Sequence, residues 1–179
     1  LKGGIVNARG SGFTVTVPLP DGRWRMYYEA RVKDQPTIIL SAVSDDGLEW
    51  QREPGVRVAD PHWSFGTPRC LYIESPDNPG RLTYRLYFHH FSHPLQVGLD
   101  KENHIISAVS DDGLRFEIEP GVRIAQESAE RESFSVYAPE VIRLGDGTYR
   151  IYYSGWSEKI FGGIFGATSS DGLNWKKDP

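Results

Sequence analysis

Three observations predict an all-β fold for this chain: a β-propeller of four-stranded antiparallel blades, with three blades present. First, a heptapeptide occurs three times, as Ser44-Asp45-Asp46-Gly47-Leu48-Glu49-Trp50, Ser110-Asp111-Asp112-Gly113-Leu114-Arg115-Phe116 and Ser169-Ser170-Asp171-Gly172-Leu173-Asn174-Trp175. The copies start 66 and 59 residues apart, the spacing of a repeated supersecondary unit. Second, an aromatic and β-branched block recurs upstream of each copy, at residues 23–28, 83–88 and 148–153, and reads as strand. Third, helical periodicity is lacking throughout the chain.

Each unit parses into four strands in order. Strand A covers residues 13–17, 69–73 and 140–144, strand B is the aromatic block, strand C is the apolar run before the heptad, and strand D follows it. Pro20-Asp21-Gly22, Gly145-Asp146-Gly147 and Asp46-Gly47 supply hairpin turns, because Asp offers a side-chain acceptor and Gly accepts positive φ. A four-stranded meander repeated about an axis is a propeller blade. The predicted blades span about 9–59, 60–125 and 126–179, and residues 1–8 form a strand that completes a terminal blade.

The heptad has a structural task in every copy. Ser and Asp bond the turn backbone, and Trp50, Phe116 or Trp175 fills the space between blades. Arg25, Arg85 and Arg150 recur at one strand-B position and predict a contact between blades. Propellers typically have four to eight blades. Three predict either a homodimer that closes a ring head to tail or further blades that complete it.

The formal net charge of -4 gives no basic stripe, which argues against a nucleic-acid partner. No apolar stretch is long enough to span a bilayer, which argues against a membrane partner. The single Cys70 excludes an intrachain disulfide and reads as core.

Antiparallel order puts the D–A and B–C links on one rim and the A–B and C–D turns on the other. His62, His89, His90, His93 and His104 all fall on the first rim, with Trp63, Trp156, Asp60, Arg69, Glu29, Arg31, Glu130, Glu132 and Glu140. Two of its links read as long: His89 to His104 and Gln126 to Tyr137. Rings mixed with carboxylates, imidazoles and Arg suit a carbohydrate ligand, whose ring faces stack while its hydroxyls take directional bonds. His89 and His90 are adjacent on a strand and point to opposite faces, which argues against a shared metal. The sequence predicts no metal and no cofactor.

The heptads, together with Tyr137-Ala138-Pro139-Glu140-Val141 and the following Tyr149-Arg150-Ile151-Tyr152-Tyr153-Ser154, resemble the five-bladed β-propeller glycoside hydrolases, families 43 and 32 and their relatives. The likeness covers nearly the whole chain. It implies that Glu140 stands at the acidic position of the family 43 Trp-Ala-Pro-Asp-Val pattern, near the axis, where it assists the catalytic acid. Aligned turns place Val15 and Arg69 at that position in the other two blades. The catalytic candidates are Glu140 and Asp60, and the candidates for substrate binding are Arg69, His89, His90, Trp63, Trp156 and Tyr137. The function read from these features is hydrolysis or binding of a glycoside at the axial rim. The alternative is a sugar-binding scaffold or fragment without the catalytic acid and base.

Overall fold

The structure, a computed structural model, describes residues 10–75, 78–92, 103–127 and 130–179. The strand expected over residues 1–8 and the side chain of His93 lie outside these. Twelve strands form three four-stranded antiparallel sheets among the described residues. The first holds β1 (Gly10–Pro18), β2 (Trp24–Arg31), β3 (Ile38–Ser44) and β4 (Gln51–Arg52). In the second are β5 (Trp63–Ser75), β6 (Asn78–Ser92), β7 (His104–Ser110) and β8 (Glu117–Ile118). The third holds β9 (Ser135–Arg143), β10 (Tyr149–Trp156), β11 (Gly163–Ser169) and β12 (Lys176–Lys177). Each sheet is a meander in chain order, as the turn chemistry predicts. The fold is a partial β-propeller.

The inner strands β1, β5 and β9 lie in sequence, with β5 packed against both of its neighbours. They are longer than the sequence reading gave. Each continues past a bulge and pairs again on the far side, at Gly12/Thr14, at Gly66/Arg69 and opposite Tyr152/Ser154. A residue with positive φ marks each bulge: Phe13 at 37°, Thr67 at 48° and Ala138 at 50°. Non-glycine residues in that region are strained, and here three equivalent positions share the conformation. For the same reason the two rim links are shorter than expected. β6 runs on to Ser92 and β9 starts at Ser135.

The core lies between the sheets. Tyr27, Ile39, Val17 and Val58 of the first unit pack on Phe65, Cys70, Leu86, Phe88 and Ala108 of the second. Tyr87, Ile105 and Ile124 pack in the same way on Val136, Val141, Ile151 and Ala167 of the third. Cys70 is buried in the first of these layers, and burial pushes its thiol well above the ordinary range.

The heptads form the turns their chemistry dictates. In the second copy the Ser110 hydroxyl accepts from Gly113 N at 2.9 Å, and Asp112 Oδ1 accepts from Leu114 N and Arg115 N at 2.8 and 2.9 Å. The turn is then clasped by the preceding sheet. Arg25 Nη1 donates to Asp112 O at 3.1 Å, Tyr27 OH to Gly113 O at 2.8 Å and Arg57 Nη1 to Leu114 O at 3.0 Å. The next joint repeats the clasp, with Arg85 on Asp171 O at 3.2 Å, Tyr87 on Gly172 O at 2.9 Å and Arg123 on Leu173 O at 3.0 Å. Phe116 and Trp175 meet Tyr27 and Tyr87 edge to face, with centroids at 5.6 and 6.1 Å.

Candidate active site

The bulges bring side chains from three strands to one end of the assembly. Val15, Arg69 and Glu140 occupy equivalent positions, opposite Tyr27, Tyr87 and Tyr152. Arg69 ties the three inner strands together. Its Nε donates to Glu140 Oε2 on β9 at 2.5 Å, and its Nη1 donates to Thr14 O on β1 at 3.0 Å and to its neighbour Pro68 O at 3.1 Å. Its side chain is 29% exposed and that of Glu140 55%. The pair offers a solvent-facing carboxylate beside a guanidinium.

A buried carboxylate supports this pair. Glu29, on β2, is 2% exposed; Arg31 donates to its Oε1 at 2.5 Å and Thr67 N to its Oε2 at 3.0 Å. The Thr67 hydroxyl accepts from Ala138 N at 3.1 Å. The bulge of β5 is thereby held from one side by Glu29 and coupled on the other to the bulge of β9. Arg69 and Glu140 each lie two residues beyond these bulges. Gly66 makes the approach of Glu29 feasible, since a Cβ there would stand 2.7 Å from Glu29 Oε2.

The imidazoles separate as alternation on a strand requires. His89, buried, bonds Asn103 Oδ1, stacks on Phe91 with centroids 4.5 Å apart and lies 6.0 Å from the Tyr137 ring. Ser135 donates to the same Asn103 oxygen at 2.9 Å. His90 instead stacks between Trp63 and His104, with centroids at 4.5 and 4.8 Å. No group of three metal-ligating side chains converges among the described residues.

The structure thus joins Arg69 with Glu140, His89 with Tyr137, and Trp63 with His90. Asp60 has a turn role, its Oδ1 accepting from His62 N at 2.7 Å and Trp63 N at 3.2 Å just before β5. Trp156 ends β10 between Phe134 and Phe161, with centroids at 5.8 and 5.4 Å. Glu130 pairs with Lys159 and Glu132 with Lys177, each at 2.7 Å, so both carboxylates serve the third unit's own loops. Two participants escaped the sequence reading. Asn103 falls just before β7 without a motif, and Glu29 was visible only as one of many rim residues.

No protein-family model and no curated protein sequence matches the chain. Solved structures do. A family 117 glycoside hydrolase of the marine bacterium Zobellia galactanivorans superposes with a TM-score of 0.71 at 20% identity, over 92% of this chain and 53% of its own. A thermostable family-43 glycoside hydrolase gives 0.59 at 20% identity, over 91% and 52%. An α-L-arabinofuranosidase of Fusarium graminearum, in complex with an iminosugar inhibitor, gives 0.64 at 15% identity, over 96% and 49%. The chain therefore has the fold of the β-propeller glycoside hydrolases and spans about half the length of these matched structures.

Proposed function

We propose that the chain is a carbohydrate-active protein of glycoside-hydrolase type, and that the sugar sits against Arg69 and Glu140 at the mouth of the inner strands. The observation that carries this reading is the exposed Arg69–Glu140 pair, built on three equivalent strained bulges. Strained backbone concentrates where side chains must be aimed. A carboxylate next to a guanidinium offers a vicinal diol one acceptor and several donors in a fixed arrangement. Half-buried Tyr137, backed by His89, and half-buried Trp63, backed by His90, add rings along the same rim, on which the apolar face of a sugar would stack.

Glycoside hydrolysis uses two carboxyls, one to protonate the leaving oxygen and one to activate water or attack the sugar. In this reading Glu140 is the carboxyl closest to the reacting bond. Beside Arg69, its carboxylate lies where it could support a positively charged transition state electrostatically. Asp60 is the candidate for the second carboxyl in this reading; its Oδ1 accepts from His62 N and Trp63 N in the turn before β5.

A panel of aryl-glycosides and oligosaccharides tests this. Wild type turns over at least one member, and Glu140→Gln lowers kcat by about a hundredfold or more while the far-UV spectrum is unchanged. Arg69→Met raises KM for the same substrate. Turnover unaffected by Glu140→Gln removes the role assigned to Glu140. Calorimetric binding with no turnover by wild type replaces hydrolysis by capture.

A further inference from the structure

We infer that the saccharide at this mouth is anionic, carrying a carboxylate or a sulfate on the sugar, and that Arg31 of β2 binds that group. The inference rests on the reading of the mouth given above and names the class of sugar it takes.

The joint between the first and second sheets and the joint between the second and third fill the same two positions with different chemistry. Glu29 lies opposite Ile39 and His89 opposite Ile105, so the two are equivalent, and Arg31 and Phe91 each stand two residues further on. Residues two apart on a strand share a face. At the second joint that face carries rings: His89 stacks on Phe91 and backs Tyr137. At the first it carries an ion pair, Arg31 Nη2 donating to Glu29 Oε1 at 2.5 Å. The two pairs converge on Gly66, where a Cβ would stand 2.7 Å from Glu29 Oε2 and 3.5 Å from Phe91 Cε1. A cationic corner and an aromatic corner therefore flank one bulge. Arg69 is three residues further along β5, within about 10 Å of extended strand.

The two ion pairs of the mouth face solvent in opposite senses. In the Arg69–Glu140 pair the carboxylate is the more exposed partner, at 55% against 29%. In the Arg31–Glu29 pair the guanidinium is 59% exposed and the carboxylate 2%. Both oxygens of Glu29 are engaged, by Arg31 and by Thr67 N, and a Cβ at Gly12 would stand 3.0 Å from Oε1. Glu29 is thus closed to a ligand, and its charge serves to hold and aim Arg31. Among the described residues Glu29 is the partner that Arg31 engages, through Nη2. A guanidinium has five N–H donors in a rigid fork that matches the paired oxygens of an oxyanion. A neutral sugar satisfies Arg69, Glu140 and the Tyr137 ring but leaves Arg31 facing water. An oxyanion on the sugar adds a charge-assisted pair there.

Calorimetric titration of the wild-type chain tests the inference with three probes: oligogalacturonates, the same oligosaccharides with every carboxyl reduced to the alcohol, and sulfated galacto-oligosaccharides. One of the two anionic sets binds about tenfold or more tightly than the carboxyl-reduced set, and the tighter set decides between carboxylate and sulfate. The advantage shrinks as salt rises from about 20 to about 300 mM. Arg31→Met removes it, and Arg31→Lys, which keeps the charge without the fork, retains part of it. The comparison of probes and the salt series need no variant, so they stand even where a substitution unfolds the chain. Equal affinity for neutral and anionic sets overturns the inference and leaves Arg69 and Glu140 as a sugar site. An anionic preference that a folded Arg31→Met keeps in full overturns the role of Arg31. Binding of no saccharide in any set overturns the reading of the mouth and this inference with it.

Discussion

Glu29 is the residue on which the mouth is built: a carboxylate with 2% exposure, one arginine, and the backbone of a strained bulge. Its environment leaves no room at Gly66, although that glycine has no positive φ to justify it. Gly66→Ala therefore forces Glu29 or β5 to shift, at a cost of about 1–3 kcal/mol, read as a lower urea midpoint with unchanged slope. Glu29→Ala costs about 1–3 kcal/mol by the same measurement, since it leaves the buried Thr67 N without its acceptor, while Arg31, 59% exposed, is left to water. The sequence shows Gly66 as one glycine among many, and Glu29 lies 37 residues before it. Their meeting depends on the bulge, which the sequence hints at in Thr67-Pro68 and Ala138-Pro139 but not in Phe13-Thr14.

Among the elements, the heptad turn has the most to test. Tyr27→Phe leaves the buried Gly113 carbonyl without its donor and costs about 1–2 kcal/mol in chemical denaturation, whereas Tyr87→Phe costs less, because Trp175 Nε1 still donates to Gly172 O at 3.2 Å. Tyr152→Phe, with no turn to clasp within the chain, changes the stability of the single chain by no more than about 0.5 kcal/mol. Acid acts on the same turns. Partial burial pushes the Asp112 and Asp171 carboxyls up, but the backbone N–H donors of Arg115 and Leu114, and of Asn174 and Leu173, outweigh it, and both stay well below the ordinary carboxylate range. A carboxyl whose folded pKa lies below its unfolded value stabilises the fold fully above the unfolded value, about 4, and loses that contribution as pH falls towards the folded one. The urea midpoint accordingly falls as pH drops from about 5 to about 2, and Asp112→Asn with Asp171→Asn flattens that fall. The sequence shows the turn and its Ser and Asp directly. It shows Arg25 and Arg85 as repeated contacts, but not their targets, because these are main-chain carbonyls of another sheet.

At the level of the whole molecule, the propeller was legible because its blades are copies, so each weak strand signal was read three times. What stayed hidden was length. Hydrophobic alternation stops at a bulge although pairing does not, so β5 and β9 begin before the runs the sequence marks out. The candidate site was half legible: Arg69 and Glu140 were found by aligning turns, whereas their contact needed the curvature that brings β5 beside β9. The layers between sheets also set how the molecule unfolds. Leu86, 0% exposed, lies in the layer shared by the first and second sheets. Leu86→Ala costs about 2–5 kcal/mol, and the loss is seen in one cooperative transition, not in one sheet alone.

The clasp between sheets reads almost no side-chain identity, since Arg25, Tyr27 and Arg57 all donate to peptide oxygens. Any hairpin that keeps the glycine and its backbone shape satisfies it, whatever else its residues have become. Such modules behave as interchangeable cassettes: a gene can duplicate or transplant one without redesigning its neighbours, while the residues facing the mouth drift freely towards new ligands.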